Sequence, residues 1–211
     1  MAAQLVLLPL LTIIILNLPF KSLLKKIAFY AASLLMLGQI YLAIFGAECW
    51  TRKCVITENL FSLNFSVDNL TQVMLLLIGI VALATLLVGN SLIKALDKKF
   101  NFINLLIISV IGMNGVVLVD DLFSMYIFLE ITAIASFVLI AMNKGKDSLE
   151  GSFKYIVMSS IATIMMLSAI AILLLTSGST SFAVTAVAVK NPKQQCFYTN
   201  CRSNVFGWTF H

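Results

Sequence analysis

Residues 122–142 read LFSMYIFLEITAIASFVLIAM. The run is long enough to cross a bilayer core as a helix, and one carboxylate, Glu130, stands near its middle. An ionised side chain at the centre of a spanning helix costs roughly 2.5–3.5 kcal/mol on insertion scales. Such a group needs a polar partner or a watery path on the inward side of a bundle. Two readings follow: Glu130 handles a proton or cation, or it is a protonated structural glutamate hydrogen-bonded to a neighbouring helix. Tyr126, Ala133 and Ile134 share its helix face at spacings of three and four. Ala133 and Ser136 are small enough to admit another helix.

Working outward, the whole chain has the same solvent preference. Hydrophobic residues are 61% of 211 and charged residues only 11%, against about 25% charged in a soluble domain. The fold class is therefore an all-α integral membrane protein. Six apolar runs are expected to be its transmembrane helices: Ala2–Phe20, Ile27–Phe45, Asn69–Gly89, Phe100–Val119, the run around Glu130, and Gly151–Leu175. The N-terminal run lacks the charge and cleavage site of a secretory signal and is expected to stay as the first helix. Between helices 2 and 3, VITENLFSLNFSVDN alternates apolar and polar residues around a turn-like Glu58-Asn59. That period predicts a small hairpin over one mouth of the bundle. Asp68 reads as the N-cap of the third helix.

Basic residues set the expected orientation. Lys21, Lys25 and Lys26 lie between runs one and two, and Lys94, Lys98 and Lys99 between runs three and four. Lys144 and Lys146 lie between runs five and six, whereas Asp120 and Asp121 follow run four without a basic residue. The positive-inside rule places the lysine-bearing loops in the cytoplasm and the N-terminus outside the inner membrane. The tail carries Lys190, Lys193 and Arg202 on the outer side, against that bias. The net charge of +5 is thus explained by membrane orientation, and nucleic acid is not an expected partner.

Other polar residues within the runs are candidates to accompany Glu130. Lys154 lies one turn into the sixth run, four residues after Glu150. It reads either as a surface pair or snorkelling lysine, or as a cation that turns inward and couples to Glu130. Asn114, Ser160 and Thr163 lie at depth and are possible accessory groups along a water file; such hydroxyls more often bond their own backbone. No metal site is expected: the sole histidine is His211, and Cys49, Cys54, Cys196 and Cys201 lack zinc spacing. Cys49 and Cys54 read equally as a bridge or as free thiols. No glycine-rich phosphate loop, hydrolytic carboxylate pair or histidine base is present, so no catalytic centre and no cofactor are expected of the chain itself.

DLFSMYIFLE, EGSFKY and VDNLT together resemble the antiporter-like membrane subunits of complex I (NADH-quinone oxidoreductase chains N, M and L), Mrp Na⁺/H⁺ antiporters and membrane-bound hydrogenases. The likeness covers roughly residues 2–182. It implies proton or Na⁺/H⁺ translocation, with Glu130 on the family's fifth-helix glutamate and Lys154 on its sixth-helix lysine. It also implies partnership with other membrane subunits, the bilayer, and H⁺ or Na⁺. The chain would be at most one subunit of a redox enzyme. A non-conducting structural or assembly subunit is the alternative. The family's seventh helix and second repeat have no counterpart here, so residues 1–182 are expected to be the N-terminal six-helix part. Residues 183–211 are expected to be an atypical tail, either a natural surface segment or a truncated or frame-shifted end.

Overall fold

The computed structural model describes residues 4–17, 21–45, 56–60, 63–142 and 145–190. Helices α1 (Gln4–Leu16) and α2 (Lys21–Phe45) precede a hairpin of β1 (Ile56–Leu60) and β2 (Leu63–Val67). Then follow α3 (Asn69–Leu92), α4 (Leu96–Leu118), α5 (Leu122–Ala141), α6 (Lys146–Ser177) and the short α7 (Phe182–Lys190). Helices α2 to α6 are long and apolar enough to cross a membrane, and α1 is a shorter apolar helix of 13 residues. The expected all-α membrane architecture with a small hairpin is observed, with five helices of spanning length and α1 shorter than its expected run.

The boundaries differ where lysines lie. Most of the basic residues read as loops between runs are helical instead: α2 begins at Lys21, α4 at Leu96 and α6 at Lys146, while Lys94 stays between α3 and α4 and Lys144 lies outside the described residues. Lysine is a good helix former, and once a helix leaves the hydrocarbon its apolar pattern stops while its backbone hydrogen bonds continue. Helix α6 shows this most clearly. Its 32 residues rise about 48 Å, well beyond a hydrocarbon core of about 30 Å. Its charged residues all fall between Lys146 and Lys154, and 155–177 carry none.

The hairpin turn also moves. Strands β1 and β2 pair antiparallel with Ile56 opposite Val67 and Leu60 opposite Leu63. Glu58 and Asn59 are therefore inside β1, paired in register with Phe65 and Asn64, and the expected turn at Glu58-Asn59 is not there. Alternation located the strands, but turn propensity at Glu58-Asn59 was outweighed by the pairing register. Cys49, Cys54, Cys196, Cys201, Arg52 and the segment 191–211 lie outside the described residues.

Helix α4 is the hub, packed against α1, α2, α3 and α5. Its Ile103, Ile107, Val110 and Leu118 are almost fully buried. The first three make one core with Leu16, Ala28, Ala32, Met36, Ala82 and Leu86. A second cluster closes the mouth at the hairpin, where Phe65 of β2 inserts against Ala43, Leu75, Leu118 and Val119. Phe65 and Val119 also form an isolated antiparallel bridge, which fixes the hairpin over that mouth.

Small residues let α5 approach the hub. A Cβ added at Gly112 would meet the Thr132 hydroxyl and, at 2.9 Å, the Phe128 carbonyl. One added at Gly115 would fall inside the Phe128 ring. Close helix approach through small residues replaces the hydrophobic driving force that lipid cannot supply.

Candidate functional site

Two polar constellations lie within the spanning helices. The first surrounds Asn114, which is completely buried on α4. Its amide donates to Gln39 Oε1 at 3.1 Å, and Gln39 Nε2 returns a bond to Asn114 Oδ1 at 3.0 Å. Asn114 Nδ2 also donates to the Leu5 carbonyl at 3.2 Å, and Gln39 Nε2 to the Leu75 carbonyl at 3.1 Å.

The Leu5 contact has a covalent cause. Pro9 lies inside α1 and has no N–H to give the carbonyl four residues earlier. Asn114 supplies that donor from another helix, as spanning helices with interior prolines require. Gln72 acts similarly at a helix end: its Nε2 donates at 2.7 Å to the Ala43 carbonyl, which lies in the last turn of α2 and lacks an intrahelical partner. Gln39 and Gln72 were not singled out from the sequence. The legible signal was Pro9, whose orphaned carbonyl demanded a donor from elsewhere.

The second constellation is at α5 and α6. Glu130 is the ninth residue of the 20-residue α5, half-buried, and faces α6. Thr163 Oγ1 donates to Glu130 Oε2 at 3.1 Å. A hydroxyl that would ordinarily bond the preceding turn of its own helix thus reaches across to a carboxylate. Nearby, Ser152 Oγ donates to the Phe137 carbonyl at 3.0 Å, pinning the start of α6 to the end of α5.

Lys154 is not brought to Glu130. Its ammonium pairs with Glu150 Oε1 at 2.7 Å, four residues back on α6, and both side chains are exposed. Thr163, which does meet Glu130, is nine residues further along α6, about 13–14 Å of helix rise. Lys154 closes the charged segment that α6 extends beyond its uncharged span. Ser160 is exposed and bonds the Ile156 carbonyl at 2.8 Å. Of the expected accessory groups, Thr163 joins Glu130, Asn114 belongs to the amide cluster, and Ser160 joins neither. No group of acidic, histidine or cysteine side chains able to hold a metal occurs among the described residues.

At the mouth by the hairpin, Asp121 caps α5. Its Oδ2 accepts from the Ser124 N–H at 2.9 Å and the Ser124 hydroxyl at 2.8 Å. The Leu122 N–H donates to the Thr180 carbonyl at 3.0 Å, and Asp121 bridges Ser181. Partial burial pushes the Asp121 carboxyl upward, but hydrogen bonds from the Thr180 side chain, Ser124 and Phe123 outweigh it and hold the group below its ordinary value.

Known proteins share this arrangement of helices. The family described as NADH:quinone oxidoreductase/Mrp antiporter, TM, matches residues 119–204, which include α5 with Glu130, α6 with Thr163, and the segment past 182. The chain is 28% identical over 178 residues to the D-type subunit of a Na(+)/H(+) antiporter from Alkalihalophilus pseudofirmus. By sequence and fold, the chain is similar to antiporter-like membrane subunits. The Alkalihalophilus match covers 82% of this chain and 36% of that protein. The N-type subunit of the F(420)H(2) dehydrogenase from Methanosarcina mazei is 29% identical over 164 residues, covering 77% and 33%. A solved membrane-bound sulfane sulfur reductase, an archaeal respiratory membrane complex, matches with TM-score 0.76 and 25% identity, over 88% of this chain and 39% of that one. This antiporter-like chain spans about a third of the length of the curated relatives it matches.

Proposed function

We propose that this chain supplies the N-terminal helices of a proton- or Na⁺/H⁺-translocating subunit within a larger membrane complex, and that Glu130 is its proton-exchanging group. The observation that carries the reading is the Glu130–Thr163 contact. The carboxyl lies at mid-helix, turned to a neighbouring helix rather than to lipid, with a hydroxyl that can donate to its charged form or accept from its neutral form. Such intramembrane acids mark proton relays. The chain's likeness to a Na(+)/H(+) antiporter protein supports the same reading.

In this proposal Lys154 acts from the cytoplasmic end of α6, held by Glu150 in the arrangement seen here and released toward Glu130 during turnover. The basic helix starts at Lys21, Leu96 and Lys146 face the cytoplasm and the N-terminus lies outside. Residues 1–182 are the N-terminal six-helix part that carries the transport group, and 183–211 are an atypical tail; α7, at their junction, has only nine residues and is too short to span.

The second reading is a non-conducting structural or assembly subunit. The Lys154–Glu150 pair favours it, since this is the geometry of an ordinary surface ion pair. Glu130→Gln separates the two in the assembled complex. The transport reading expects ion flux to fall at least about tenfold, the scale of a lost proton-transfer group, and Lys154→Ala to move the pH dependence of the residual flux. Unchanged flux in Glu130→Gln assigns the chain to the structural role.

A further inference from the structure

The transport reading uses Glu130 and Thr163 and leaves Ser152 without a role. Helix α6 buries two of its 32 residues, Ser152 and Ile170. Ser152 is 5% exposed, in a stretch where Leu149, Phe153, Tyr155 and Ile156 all lie open. The one buried position in the first half of the helix is thus polar. Its hydroxyl donates to the Phe137 carbonyl of α5 at 3.0 Å. Other hydroxyls of this helix pair, on Thr132, Ser136, Ser160 and Ser168, bond carbonyls of their own helix, which is the ordinary habit of such groups. Ser152 and Thr163 instead bond across the pair.

The two crossing bonds share a register. Ser152 and Thr163 lie about three turns apart on α6, and Glu130 and Phe137 about two turns apart on α5. Each pair therefore occupies one face of its helix, and the two bonds are successive rungs between the same two faces. The far end of the ladder is closed where the Leu122 N–H donates to the Thr180 carbonyl at 3.0 Å. Glu130 lies between the two clasps.

Apolar packing does little to set that register. Lipid supplies no hydrophobic drive between helices, so interhelical hydrogen bonds and close packing decide it, and 6% of the α6 span is buried. Beside Ser152, a Cβ added at Gly151 would meet nothing within 4 Å, and glycine is a weak helix former. A slip of α6 by one residue would move Thr163 about 1.5 Å along the axis and turn it about 100°, which breaks its 3.1 Å bond to Glu130.

We propose that Ser152 is a positioning residue for Glu130: its bond to the Phe137 carbonyl sets the register of α6 on α5 and so holds the Thr163 hydroxyl against the Glu130 carboxyl. The inference rests on the reading of Glu130 as the proton-exchanging group.

The test uses the assembled complex and two measurements, ion flux and the infrared band of the Glu130 carboxyl, identified as the band missing from Glu130→Gln. Thr163→Val takes the hydroxyl away from Glu130 and shifts the band. Ser152→Ala is expected to shift it in the same direction and to lower flux about tenfold, within the 10²-fold that a misplacement of about 1 Å can cost at a reacting group. Ser152→Thr, which keeps a hydroxyl, is expected to restore both. The double variant of Ser152→Ala and Thr163→Val is expected to conduct like Thr163→Val alone, because both changes act through one contact, whereas an independent structural role would multiply the two losses. An unmoved band in Ser152→Ala, no restoration by Ser152→Thr, or multiplied losses in the double variant each overturn the proposal and leave the transport reading intact. Unchanged flux in Glu130→Gln overturns the transport reading instead, and the role of Ser152 in ion exchange with it; a band shift in Ser152→Ala would then show that the register alone is its work.

Discussion

Asn114 and Glu130 both sit within spanning helices, yet their surroundings differ. Asn114 lies on α4, of whose span 56% is buried, and every bond of its cluster ends on an amide or a backbone carbonyl from α1, α2 or α3. Glu130 lies on α5, of whose span 11% is buried, and faces α6, of whose span 6% is buried; its bond is to one hydroxyl. The first group repairs the backbone of a packed bundle, and neutral amides suit it because they never change charge. The second is an ionisable group on a thinly packed helix pair, a setting that suits the proton exchange proposed for it. Under that proposal burial alone does not mark the functional group, because the more deeply buried residue is the structural one.

That contrast is most strongly disrupted at the seam between the two halves. Gly112→Leu forces side-chain atoms into the Phe128 backbone and the Thr132 hydroxyl. Overpacking of this kind costs about 3 kcal/mol or more, and thermal unfolding of the purified chain should show α5 and α6 detaching from α4. A Gly112→Leu protein as stable as the parent would mean that the two halves are not docked this way.

Within the packed half, Asn114→Ala leaves Gln39 and the Leu5 carbonyl without partners and is expected to destabilise the chain by about 1–3 kcal/mol. Gln39→Leu alone should behave similarly, and the double variant should cost less than the sum because the two amides satisfy each other. Additive effects in that cycle would show that the amides act separately. In the thin half, Glu130→Gln keeps an acceptor for Thr163, so its unfolding should shift by less than about 1 kcal/mol, in line with interhelical hydrogen bonds in membranes. A large loss of stability there would make Glu130 structural like Asn114.

The smallest effect concerns Asp121, whose carboxyl is held below its usual value in the folded chain. A depressed folded value means that its contribution is complete above the unfolded carboxylate value, about 3.9, and is lost as pH falls through the folded value. Unfolding of the parent should therefore ease below about pH 4, and Asp121→Asn should flatten that part of the profile. An identical acid profile in Asp121→Asn would mean that the cap contributes nothing to stability.

Much of this was legible in the residues. Runs of uncharged apolar residues located α2 to α6, since helices satisfy every backbone group within the bilayer. The carboxylate in the fifth run announced itself through its desolvation cost. Alternation gave the hairpin, but not its turn, because strand register depends on which cross-strand pairs bury Phe65. Lysines marked the ends of the spans but mostly lie within the helices rather than in loops, because hydropathy reports the lipid boundary while hydrogen bonding sets the helix.

The order of amino acids was enough to settle that this chain lives in a membrane, where its five long helices α2 to α6 run, and that one acid lies near the middle of α5. Which groups meet was left to the packed bundle: Thr163 rather than Lys154 at Glu130, and Gln39 with Asn114 at the carbonyl that Pro9 leaves orphaned. The reason is one of range. Span and depth follow from each segment's own transfer free energy between water and lipid, whereas a hydrogen bond across helices depends on how side chains 33 to 109 residues apart in sequence are rotated toward each other.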